Sequence, residues 1–189
     1  MNFKIYTIIA ALALPMAASA QNTERKLCDF ESADAYRSIQ VYDTWENSPF
    51  RNNSAEGNIQ VVQNHLNDAD PVRGFAPNPS RHILAVQRSR FGSNTFGALV
   101  GLKEPFAQTK TVQYVHVKIY SPKGGPAMLI GLGNRDDRPH QSPLTEQFWA
   151  TASQPLVANH WNDAVFAVSG ANGVTIHNLL IVPDATSPH

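Results

Sequence analysis

Thr111-Val112-Gln113-Tyr114-Val115-His116-Val117-Lys118-Ile119-Tyr120 is the stretch that decides the fold class. Val112, Tyr114, His116, Lys118 and Tyr120 fall on one side of it, and Gln113, Val115, Val117 and Ile119, continued by Ser121, on the other. Successive side chains of a strand point to opposite faces, so a period of two spells a strand with one face buried. The second set is the more apolar and is expected to face the core. That turns Tyr114, His116, Lys118 and Tyr120 outward.

Working outward, the same grammar recurs. Ile39-Gln40-Val41-Tyr42 alternates, and 59–63 does so less strictly. Ile83-Leu84-Ala85-Val86 and the run 97–102 read as more fully buried strands. The runs 127–132, 146–152, 163–168 and 174–182, with Cys28-Asp29-Phe30-Glu31 opening the first strand, bring the total to about ten. Turn formers separate them: Asn52-Asn53, Pro77-Asn78-Pro79, Gly92-Ser93-Asn94, Pro122-Lys123-Gly124-Gly125-Pro126 and Gly170-Ala171-Asn172-Gly173. Short strands with no long amphipathic helix between them predict an all-β, two-sheet antiparallel β-sandwich rather than βαβ units. Ser32 to Tyr36 has room for one helical turn at most. The longer irregular stretches are 64–80 and 134–145, and loops of that length in a compact domain often carry function.

The first twenty residues read differently. Lys4 is a positive n-region, 8–18 is an apolar run broken late by Pro15, and Ala18-Ser19-Ala20 fits a signal peptidase site. The run is shorter than the roughly 20 residues needed to span a bilayer. The expectation is a signal peptide over 1–20, a single β-sandwich domain over 21–189, and a periplasmic or secreted protein with no membrane attachment after cleavage. The full chain carries 15 Lys/Arg against 15 Asp/Glu, and removing Lys4 leaves 14 against 15, a mature charge of −1. A near-neutral chain without a Lys/Arg stripe argues against nucleic acid as a partner. Arg81, Arg88 and Arg90 are the nearest thing to a basic patch and read as solvated faces. Cys28 is the only cysteine, so it has no internal disulfide partner, and it reads as a small core residue.

Several local features then line up in order: Cys28-Asp29-Phe30-Glu31, Pro77-Asn78-Pro79-Ser80, the run Val115-His116-Val117-Lys118-Ile119-Tyr120-Ser121-Pro122, His160-Trp161, Val165-Phe166-Ala167-Val168-Ser169, and the closing Ile181-Val182-Pro183-Asp184. Together they resemble the galactose-binding-like jelly-roll modules, carbohydrate-binding domains of secreted bacterial polysaccharide-processing proteins. The resemblance implies a two-sheet jelly roll, often with carbohydrate binding and a structural calcium, and seldom with catalysis. The chain departs from the pattern at Phe166-Ala167-Val168-Ser169, where the family has an acidic residue in place of Ala167, so no role of that acid carries over. In such a roll the first and last strands run near one another. Glu31 and Asp184, with Asp29 beside them, are then the expected Ca2+ ligands, completed by backbone carbonyls.

Sugar recognition asks for flat aromatic faces and hydrogen-bonding side chains. Trp45, Trp149 and Trp161 are the three tryptophans. Trp161 reads as core. Phe148 and Trp149 are neighbours in one strand and must point to opposite faces, and Trp149, beside Gln147, Thr151 and Ser153, is the outward one. The expected ligand-binding set is therefore Trp149, Tyr114, His116, Tyr120 and Arg135, taking an oligo- or polysaccharide at a sheet face or loop edge. No catalytic residue is assigned. The rival is a small polysaccharide lyase or glycoside hydrolase built on Asn134-Arg135-Asp136-Asp137-Arg138-Pro139-His140, with His65 or His116 as other candidate bases. Adjacent carboxylates in an extended chain diverge, whereas glycosidase pairs face each other across a cleft. No Ser-His-Asp, HExxH or glycine-rich phosphate signature appears, and the seven histidines show no paired metal-ligand spacing. A third reading is a structural or adhesion subunit.

Overall fold

A computed structural model describes residues 24–51, 58–66, 78–133 and 145–185. Among the described residues nine strands follow a 3-10 turn at Ala33–Ala35: β1 (Tyr36–Asp43), β2 (Asn58–Gln63), β3 (His82–Gln87), β4 (Phe96–Ala107), β5 (Gln113–Tyr120), β6 (Met128–Leu132), β7 (Glu146–Thr151), β8 (Trp161–Val168) and β9 (Thr175–Val182). The protein is an all-β sandwich. The main sheet has five strands in the order β1-β4-β9-β6-β7, and β2-β3 and β5-β8 form two smaller sheets. Every pairing is antiparallel.

The main sheet is apolar on both sides. On one side Leu102, Leu129, Phe148, Ala150, Ile176 and Leu179 meet Val115, Ile119, Ala164, Phe166 and Val168 from the inner face of β5-β8. Each buried Val, Leu, Ile or Phe among them contributes about 2 kcal/mol on leaving water. Gly131 is part of this fit, because a Cβ there would collide with the Phe148 ring. On the other side Tyr42, Leu99, Ile130, Leu132, Leu180 and Val182 form a second cluster, with Met128 and Ala185 at its margin. Cross-strand register runs Trp149–Ile130–Leu180–Leu99, one transverse row that starts at the β7 edge. A third cluster, Val41, Phe50 and Phe96, packs β2-β3 against the end of β1 through Ile59 and Val86.

The two layers are also joined by backbone pairing at a corner. Ala152, just past β7, bridges to Phe166 of β8, and the Ser153 N–H donates to the Val165 carbonyl. The alternation read in 111–120 holds: Val115 and Ile119 are buried, while Tyr114, His116 and Lys118 are exposed. The opening stretch differs from expectation. Residues 28–31 form no strand; Phe30 has a positive φ of 59° and stacks at 5.7 Å on Tyr36. Strand pairing needs extended backbone, which that left-handed residue interrupts. The expected signal peptide falls on residues 1–20, outside the described residues.

Candidate functional site

The outward face of β5-β8 is built by register. Tyr114 lies opposite Ala167, His116 opposite Val165, Lys118 opposite Asp163 and Tyr120 opposite Trp161. Tyr114 is 68% exposed. His116 Nδ1 sits 3.0 Å from Asp163 Oδ2, a diagonal cross-strand pair whose side chains are 56% and 42% exposed. Both groups keep free edges toward solvent, which suits hydrogen bonding to a hydroxyl. At the far end Tyr120 is half-buried, edge-on to Trp161 at 5.7 Å, and the buried Trp161 indole N–H donates to the Leu66 carbonyl. Tyr120 thus caps the strip rather than opening it.

Trp149 comes from the other layer. It is 53% exposed, and its neighbour Phe148 is 7% exposed in the core, as the alternation requires. Because β7 is the edge of the main sheet, no strand of that sheet among the described residues pairs with Trp149 on the side away from Ile130. Trp149 lies three residues before the bridging Ala152, and Tyr114 pairs with Ala167, the neighbour of the bridging Phe166. Both aromatics are therefore about three residues or fewer, some 10 Å, along their strands from the corner. Thr151 and Ala167 are exposed as well.

A second outward cluster went unnoticed in the sequence. The Asp43 carboxylate, fully buried at the end of β1, accepts from the Ser93 N–H at 2.6 Å, Ser93 Oγ at 2.6 Å, Thr95 Oγ1 at 2.9 Å and the Trp45 N–H at 3.2 Å. Desolvation pushes this carboxyl up, but the bonds from Ser93, Ser48 and Trp45 outweigh it and hold it below the usual carboxylate range. Arg88 donates to the carbonyls of Ser93 and Asp184. Burial lowers its pKa, with Asp184 and Asp43 opposing the shift. Arg88 is thus a half-buried brace, unlike the solvated residue expected. Two exposed aromatics ride on these braced loops: Trp45, 48% exposed, and Phe91, 57% exposed with the Arg90 guanidinium 4.8 Å over its ring. The only signal in the sequence was Asp43 ending an apolar strand and matching the hydroxyl-rich Ser93-Asn94-Thr95 fifty residues on.

The carboxylates expected to share a calcium are held apart. Glu31 Oε1 accepts the Arg81 N–H at 2.6 Å, and Oε2 faces His82 Nδ1 at 3.2 Å and Arg81 Nε at 3.8 Å, all at the start of β3. Asp184 lies by Arg88, just beyond the end of β3. Six extended residues separate those ends by roughly 20 Å. Glu31 and Asp184 therefore do not converge on one cation in this arrangement. A calcium cage wants six to eight oxygens, whereas the Glu31 oxygens face N–H donors. Desolvation raises the Glu31 carboxyl, but His82 and the Arg81 and His82 N–H groups bring it below its ordinary value. Asp29 is lowered by the Glu31 N–H and by Lys26 at 3.2 Å. Among the described residues no group of three His, Cys, Asp or Glu side chains could hold a metal. Cys28 is half-buried, and that burial pushes its thiol up, away from the reactive thiolate. Arg135, Asp136 and His140 lie outside the described residues, and no helix among the described residues is long and apolar enough to cross a membrane. No family model, curated protein or solved structure matches this chain at a significant level.

Proposed function

We propose that this protein is an exported, non-catalytic glycan-binding module that takes an oligo- or polysaccharide along the corner between β7 and β5-β8. The observation that carries the reading is the outward display of Trp149 and Tyr114 on strands rather than on loops, beside the open His116–Asp163 pair. An exposed tryptophan on a sheet edge keeps apolar area in water, which stacking on the C–H face of a pyranose would remove. His116, Asp163 and Lys118 would meet ring hydroxyls. Their openness to solvent favours binding over proton transfer, which works best where water is excluded.

The test is a glycan array followed by calorimetry with the best ligand. Trp149→Ala should weaken binding about tenfold with an unchanged melting temperature, the loss expected of one central aromatic anchor. Binding to no glycan would end the reading, and product release from a polysaccharide panel would replace it with the lyase or hydrolase alternative.

A further inference from the structure

A cavity of about 340 Å³ lies across the breaks in β1, β4 and β9, lined by Arg37, Lys103, Pro105 and His177. Its origin is a coincidence of breaks in register. In β1, Tyr36 pairs with Leu102 and Ser38 with Gly101, which leaves Arg37 as the extra residue. Between β4 and β9, Gly101 pairs with Asn178 and Phe106 with Ile176, so β9 crosses the break with His177 alone while β4 uses 102–105. Pro105 lacks an N–H and cannot rejoin the ladder there. Bulges re-aim side chains, and they gather at functional sites. Arg37 on β1 and His177 on β9 are each the single residue left between the paired positions, and Lys103 is one of four on β4, beside Leu102, Glu104 and Pro105.

The surroundings hold the cavity in shape. Arg37 Nη2 donates to Asn178 Oδ1 at 2.8 Å, and Asn178 is 1% exposed, so a buried amide sets the direction of the guanidinium. Gly101 makes room: a Cβ there would run into Ser38 Oγ and stand 3.2 Å from Arg37 Nη2. Arg25 Nη2 donates to the carbonyls of Glu104 and Pro105 at 3.1 and 3.3 Å, which satisfies two groups that the bulge removes from the ladder. Among the described residues no carboxylate lines the cavity. Its volume falls at the lower end of small-ligand pockets, about 300–1,000 Å³.

We infer that this cavity is a binding site for a small organic oxyanion, with Arg37, Lys103 and His177 as the donors. The guanidinium fork suits two oxygens of a carboxylate or of a sulfate or phosphate group, and Lys103 adds a point charge at the exposed rim. The inference is independent of the glycan reading, because no residue of one site belongs to the other.

The experiment is ¹H–¹⁵N NMR titration of the protein at low ionic strength with glucuronate, inorganic sulfate and inorganic phosphate, and with glucose as the neutral control. At least one oxyanion is expected to shift the amides of 36–38, 101–106 and 176–178, with glucose silent there and high salt weakening the effect. Preference for glucuronate assigns a uronate, and preference for sulfate or phosphate assigns the corresponding ester. Lys103→Gln, at an exposed position, should weaken binding roughly tenfold, and Arg37→Lys should weaken it while narrowing the carboxylate preference. Trp149→Ala should leave this binding unchanged, which separates failure here from failure of the glycan reading. Amides that do not move for any oxyanion, or wild-type affinity in both Lys103→Gln and Arg37→Lys, would overturn the inference.

Discussion

Asp43 and Asp163 are both strand aspartates joined to a side chain from a neighbouring stretch of chain, yet they serve opposite ends. Asp43 has no solvent access and takes hydrogen bonds from Ser93, Thr95, Trp45 and Ser48 that tie the end of β1 to the turn before β4. Asp163 keeps 42% of its side chain in water and meets only His116 among the partners described above. A buried carboxylate is expensive unless its oxygens are satisfied, so Asp43 marks a place where the fold is pinned. An exposed pair contributes little to stability and stays available to a ligand. Burial, more than partner identity, separates an acid that pins the fold from one that stays open to solvent.

The sharpest way to break that contrast is Asp43→Ala. It leaves the Ser93 N–H and the Ser93 and Thr95 hydroxyls without their acceptor in a buried site. The expected cost is about 3 kcal/mol in a urea unfolding experiment. Asp43→Asn keeps one acceptor oxygen and should cost less than Asp43→Ala. A loss under 1 kcal/mol for Asp43→Ala would mean that the network is ornamental and the turn is held by packing of Phe50 and Phe96.

Acid should find the same residue. The folded pKa of Asp43 is lowered, so its stabilisation is fully present above the unfolded carboxyl value of about 3.9 and is lost as pH falls through the lower folded value. Urea midpoints should therefore drop from about pH 5 downward, as the unfolded state takes up protons first. The slope should flatten in Asp43→Asn. An equal slope in wild type and variant would move the acid sensitivity to other carboxylates.

How much of this was legible in the residues follows from which interactions are local. The alternation in 111–120, and the opposed directions of Phe148 and Trp149, depend only on the two-residue period of a strand, so they read directly. The Asp43 network joins residues fifty apart, and the cationic cavity joins Arg37, Lys103 and His177 through bulges on three strands. Bulges leave no periodic trace, and the run read as 97–102 stops short of Lys103 and Pro105, which the observed β4 includes. The expected first strand at 28–31 failed for a related reason: Phe30 adopts a left-handed backbone that its side chain does not announce. Pairing Glu31 with Asp184 assumed that the chain's ends meet, whereas β3 holds one at each of its ends.

Asp163→Asn is the smallest and most discriminating step. Stability should change by less than about 0.5 kcal/mol, because an exposed pair gains little over two solvated groups. His116 would keep its place through the β5-β8 ladder but lose the charge that fixes its ring edge. If the strip is the binding surface, affinity for the array-selected glycan should fall about threefold, less than for Trp149→Ala, since one charge-assisted hydrogen bond is weakened rather than a stacking face removed. Calorimetry with that glycan reads both variants on one scale. An Asp163→Asn loss larger than that of Trp149→Ala would shift the centre of recognition from the β7 edge to the β5-β8 face, and unchanged affinity would confine recognition to Trp149 and its own strand.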